Sequence, residues 1–159
     1  MTIDCIPELF KSTVNLIVKE SRRIIEDGRE LAPIAFLCRS DGIFPVVLDF
    51  PDEQGKDTSS EMITFLAKKF HPEYIVFVSE AWMLKTNLES DKKRDKSQSL
   101  EHHPDRIDAV MYSLETKYGI WLGNAEIKTV NNKRTVEMAN FSKPDKATGR
   151  FTNLLVHSD

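Results

Sequence analysis

Apolar residues recur along "PELFKSTVNLIVKESRRIIEDG" (7–28) at Phe10, Val14, Ile17, Ile24 and Ile25. Those steps of three, four and seven put them on one face of a helix. Pro7 suits the first helical turn and Gly28 the C-terminal cap, so both ends are marked. Lys11, Lys19, Glu20, Arg22, Arg23 and Glu26 fall largely off the apolar face and are expected in solvent. The rhythm then shortens. "APIAFLCR" and "IFPVVLDF" are two β-prone runs divided by Ser40-Asp41-Gly42, turn residues that predict a hairpin. Pro45 has no amide to donate, which places the second strand at a sheet edge or at a bulge.

"FPDEQGKD" (50–57) reads as a loop, and "TSSEMITFLAKKF" (58–70) as a second helix. Thr58 and Glu61 have capping-box spacing at its start, and Met62, Phe65, Leu66 and Phe70 form its expected buried stripe. "HPEYIVFVSEAWML" (71–84) is the most β-rich stretch and predicts a central strand. Residues 86–103 are polar and charge-dense, which predicts a mobile excursion. "DRIDAVMYSLETKYGIWLGNAEIKTV" (105–130) then gives two strands about a turn near Lys117-Tyr118-Gly119. "NNK" turns into "RTVEMANF", and "SKPDKATG" into "RFTNLLVHSD".

The expected order is α-β-β-α followed by five strands. Short connections without crossover helices favour antiparallel pairing, so the class is α+β: a mostly antiparallel sheet with two helices. The element order resembles that of profilin-like and roadblock-like domains. At 159 residues the chain fits one domain, 1–159, with a core large enough to need no staples.

Composition narrows the function classes. Hydrophobic residues are 40% and charged ones 30%, the balance of a globular chain. A net charge of −3 provides no global basic field for nucleic acid or anionic lipid. Cys5 and Cys38 lack metal-ligand spacing, and Cys38 in "PIAFLCRS" reads as a small buried hydrophobe. "MTIDCIPELF" lacks the charged and apolar regions of a secretory signal, and no apolar run has membrane-spanning length. The expectation is a reduced, cytoplasmic protein without a membrane partner.

Two constellations carry candidate chemistry. Pro104-Asp105 followed by Glu126-Ile127-Lys128 resembles the PD-(D/E)xK pattern of metal-dependent nucleases. There two carboxylates on neighbouring strands hold Mg²⁺ while a lysine stabilises charge or positions water. Against this, Pro-Asp is a common turn pair, and a turn and strand follow Lys128 where that family has a helix. Trp121, Ala125 and Ile127 alternate with Glu126 and Lys128, which marks the latter as the wet side of a strand. The second constellation is a cleft of Glu80, Trp82, Arg106 and Asp108. Glu80 and Trp82 share one face near the end of the central strand, with Arg106 or Lys85 as expected partners for the Glu80 carboxylate. The bland alternative there is a structural Glu80–Arg106 ion pair beside a packed Trp82.

The four histidines add no metal site. His102 and His103 are adjacent and point oppositely in an extended chain, His71 precedes a proline, and His157 lies in the tail. "DKKRDK" (91–96) is interrupted by acids and lacks interleaved aromatics, so a solvated loop is expected rather than a nucleic-acid contact. No phosphate loop and no nucleophile with a recognisable base occur, and no metal or cofactor is expected.

"VSEAWM", a variable polar loop, "HPDRIDAVMYSLE" and a closing "GRFTNLLV" are similar to a set of small bacterial and phage proteins of unknown function. The similarity spans roughly residues 30–155. It implies that Glu80, Trp82, Asp105 and Arg106 belong to one recurring unit, and it brings no activity, cofactor or partner. The function expected from all of this is a non-catalytic protein-interaction module, plausible as a homodimer. A metal-dependent nuclease or phosphodiesterase using Asp105, Glu126 and Lys128 is the alternative, and a nucleic-acid-binding accessory protein comes third.

Overall fold

The computed structural model describes residues 3–48, 53–84 and 104–144. The order is α1 (Glu8–Glu26), β1 (Ile34–Arg39), β2 (Gly42–Val47), α2 (Glu53–Phe70), β3 (Tyr74–Leu84), β4 (Arg106–Thr116), β5 (Gly119–Val130), β6 (Lys133–Val136) and β7 (Asn140–Ser142). This is the α+β, mostly antiparallel arrangement that the alternation of periods predicts. The polar segment 86–103, the side chains of Lys85, His102, His103 and His157, and the expected strand in 150–159 lie outside the described residues.

The seven strands form one sheet in the order β2-β1-β3-β4-β5-β6, with β7 also paired to β5 and every pairing antiparallel. The β-rich run 74–84 is central, held by β1 on one side and β4 on the other. Among the described strands β2 pairs with β1 alone, so Pro45 lies on an edge strand of the described sheet. Alternate residues feed two cores. Val76, Val78, Val110, Tyr112, Leu114, Trp121 and Ala125 pack under α1. Ala35, Leu37, Ile75 and Phe77 pack with Ile63 and Ala67 of α2. Strand side chains alternate between faces, so the two helices cover opposite sides of the sheet.

α1 buries Phe10, Val14, Ile17, Ser21 and Ile25. Gly28 adopts φ +81, its amide bonding Ile25 O while the Arg29 amide bonds Ile24 O. This double closure is a Schellman cap, and its left-handed residue is what selects glycine. Two charges expected in solvent have tertiary partners instead. Arg22 donates to Glu137 O at 3.0 Å, and a Glu26 carboxylate oxygen accepts from the Val136 amide at 3.0 Å, tying α1 to the β6 end.

α2 departs from expectation at its start and in its buried face. It begins at Glu53, so 53–57 are helical and Thr58 lies within the helix, where it is no cap. Ile63 and Ala67 are the buried positions, with Leu66 and Phe70 partly so, while Met62 and Phe65 are 41% and 58% exposed. Both sets satisfy a helical period. The sheet face chose between them.

Asn131 and Asn132 both take positive φ (54 and 63), the geometry of a primed hairpin turn between β5 and β6. "RTVEMANF" is one edge run broken in two. Val136 pairs with Ile127 and Asn140 with Asn124, so the residue-number sum rises from 263 to 264. One extra residue is therefore accommodated, a β-bulge, and the Glu137 amide bonding Glu126 O marks its upstream side.

Three neutral acids, Cys38 and Tyr112 buried and Tyr74 half-buried, make the fold sensitive to alkali. Burial pushes the Cys38 thiol from 9.0 up to about 12, partly opposed by its hydrogen bond with Tyr74. Burial also raises the Tyr74 and Tyr112 hydroxyls, against their hydrogen bonds with Thr13 (2.8 Å) and Ser21 (2.7 Å). Ser21 donates to Val18 O, so the Tyr112 hydroxyl is the donor to Ser21. Each group holds its proton in the fold over a range where the unfolded chain has released it. Their contribution is fully present below pH 9.0 and is lost as pH rises towards about 12. The denaturant midpoint should fall steadily over that window, with Cys38→Ala flattening its lower part. A flat profile would contradict the burial of these three groups.

Candidate functional site

β3 and β4 position the expected cleft. Register places Glu80 opposite Val110 and Trp82 opposite Asp108, and alternation puts Glu80, Trp82, Arg106 and Asp108 on the α1 side of the sheet. All four thus share one face. The Arg106 guanidinium lies over the Trp82 ring at 4.7 Å, and Trp82 is 41% exposed rather than packed. Asp108 is exposed beside it.

Glu80 belongs to a different unit. Its carboxylate is hydrogen-bonded and ion-paired with Arg134 of β6, not with Arg106. The other carboxylate oxygen accepts the Leu31 amide at 3.2 Å. Strands β4 and β5 lie between the two partners. One half-buried carboxylate therefore joins the central strand, the loop after α1 and the β5–β6 hairpin. Sequence proximity suggested Arg106; the curl of the sheet brings Arg134. Glu80→Ala should cost about 1–3 kcal/mol, because it leaves an amide and a guanidinium short of an acceptor. Asp108→Ala should stay within about 0.5 kcal/mol, as exposed positions do. Equal effects of the two in chemical denaturation would refute this division.

The nuclease constellation is not assembled. Glu126 lies opposite Ala109. Asp105 precedes Ala109 by four residues, which along a strand is about 13 Å. Lys128 is ion-paired to Glu137 at 3.3 Å, on the side of β5 facing away from α1. Among the described residues no group of three or more His, Cys, Asp or Glu could hold a metal ion.

Among the described residues a concave feature lies elsewhere, between α1 and the β1–β2 edge. It is a groove of about 160 Å³ whose lining includes Leu16, Ile24, Leu31, Ile34, Phe36 and Ile43. Glu20 borders it but is ion-paired to Arg23 at 2.8 Å, and the Ser21 hydroxyl is engaged by Tyr112. The rim stays open: Leu16 is 53% exposed and Ile43 44%. Sequence reading passed over this site. Its signal was Leu16, an apolar residue on the flank of α1 beside the stripe that fills the core.

Among the described residues no helix is long and apolar enough to cross a membrane. No protein-family model matches the chain, and neither the curated proteins nor the solved structures contain a match to it.

Proposed function

We propose that this chain is a non-catalytic, cytoplasmic interaction module that binds protein through the groove beside α1. The observation that carries this reading is the size and chemistry of that groove. At about 160 Å³ it falls well below the roughly 300–1,000 Å³ of sites that enclose small molecules. Aliphatic and aromatic carbons line it, and the polar groups that border it are already partnered within the chain. Such a recess accepts one or two apolar side chains of a partner, an anchoring contact typical of protein interfaces.

Metal-dependent phosphodiester cleavage is the competing reading, and it sets the test. Purified protein is incubated with DNA, RNA and a chromogenic phosphodiester in added Mg²⁺ or Mn²⁺. The module reading expects no turnover above buffer. Cleavage that disappears in both Asp105→Ala and Glu126→Ala would overturn it.

A further inference from the structure

We infer that the N-terminal segment 3–6 and strand β7 close over Trp121 as one latch, and that they open together while α1 and the central strands stay folded. The latch lies on the β5 side of the sheet, away from the groove, and does not depend on the binding reading.

Three contacts join the parts in a ring. The Trp121 indole nitrogen donates to Cys5 O at 3.1 Å, and the Cys5 thiol donates to Phe141 O at 3.2 Å. The ammonium of Lys143, the residue after β7, lies 4.9 Å from the centre of the Trp121 ring. The segment thus holds β5 and β7, and β7 returns to the same indole. Each contact is modest by itself. A thiol is a weak donor, β7 has three residues, and Lys143 is an exposed side chain that also bonds Tyr118 O at 3.0 Å. Burial joins them. Ile6 is 2% exposed and Phe141 3%, both in the core cluster that contains Trp121, and Phe141 fits because Gly123 sets no Cβ against it. Withdrawing either piece bares apolar surface that the other helps to cover, so the two move together.

Each piece also has a place to bend. Pro7 is non-helical, with ψ 143, and has no amide to tie the segment to α1. Between β6 and β7 the chain leaves strand structure after Val136, and Met138 there is 63% exposed. The anchors of α1 lie on the near side of both bends: Phe10, Val14, Ile17 and Ile25 in the core, and the bonds from Arg22 to Glu137 and from Val136 to Glu26. Opening would leave the β5 backbone over 122–124 without the strand described on that side. A closed latch therefore keeps that part of β5 from offering a free edge.

Hydrogen exchange of the full chain, followed by NMR across a urea series below the unfolding transition, tests this. The Ile6 amide, the Trp121 indole N–H and the protected β7 amides should share one opening free energy and one shallow urea slope. The amides of Val14, Ile17, Val76 and Val78 should keep the steep slope of global unfolding. Lys143→Ala removes a contact of β7 and touches nothing in the segment 3–6, yet it should speed exchange at Ile6 as much as in β7, by about threefold. Gly123→Ala should do the same more strongly, because its clash is with Phe141. A steep, core-like slope at Ile6, at the Trp121 indole or in β7 would overturn the proposal. So would either variant accelerating β7 while Ile6 keeps its wild-type rate.

Discussion

Trp121→Ala should destabilise the protein by about 3–5 kcal/mol, whereas Trp82→Ala should cost only about 1 kcal/mol. The two tryptophans look alike in the sequence, each in an alternating strand. Trp121 is 4% exposed beneath α1, and its indole nitrogen donates to Cys5 O at 3.1 Å. Removing it leaves a cavity in the larger core and an unsatisfied carbonyl at the N-terminal segment. Trp82 is 41% exposed and its described ring contact is the Arg106 guanidinium, so truncation forfeits a surface cation–π pair and modest burial. Urea unfolding of both variants checks the contrast. Equal losses would mean that Trp82 is packed more tightly than described.

Gly123→Ala, a change of one methyl group, should cost about 1–3 kcal/mol through overpacking. A Cβ at position 123 would lie 2.5 Å from two carbons of the Phe141 ring and 2.8 Å from a third. That ring is 3% exposed and cannot swing aside as a lysine tail does. Register explains the closeness, since Gly123 is paired with Phe141 where β7 docks on β5. The glycine is there for space and not for an unusual backbone angle. The clash should loosen β7 and with it the bond from the Cys5 thiol to Phe141 O. Faster amide exchange in β7 is the expected readout. Phe141→Leu in the same chain should cost less in the Gly123→Ala background than in wild type, because it relieves the overlap. Strict additivity would show that the two sites do not meet.

Little of the candidate site was legible in the sequence, although much of the fold was. Alternation put Glu80 and Trp82 on one face, because side-chain direction in a strand is a local property, and the β3–β4 register adds Arg106 and Asp108 to that face. Whether those side chains touch is not local. The Glu80 carboxylate found Arg134, 54 residues away, only because the β5–β6 hairpin curls back over the α1 side. The groove escaped notice for the same reason. Leu16, Ile43 and Val47 are unremarkable singly, and become a patch only when α1 settles over β3–β5 and leaves the β1–β2 edge uncovered.

What the sequence by itself determined are the features that short-range physics decides. Pro7 and Gly28 bounded α1, Asn131-Asn132 set a primed turn, and Pro45 sent β2 to an edge because a proline cannot serve a ladder from both sides. The buried side of β5 followed from a period of two, as Trp121, Ala125 and Ile127 show. Tertiary structure decided the rest. Two stripes on α2 had equal helical period, and contact with Ala35, Leu37 and Phe77 buried Ile63 and Ala67 while leaving Met62 and Phe65 in water. One extra residue between β6 and β7 was absorbed as a bulge because β5 was already fixed by β4. The partners of Arg22, Glu26 and Glu80 lie 49 to 115 residues away in the chain, at distances over which local sequence carries no signal and only the closed sheet brings these groups together.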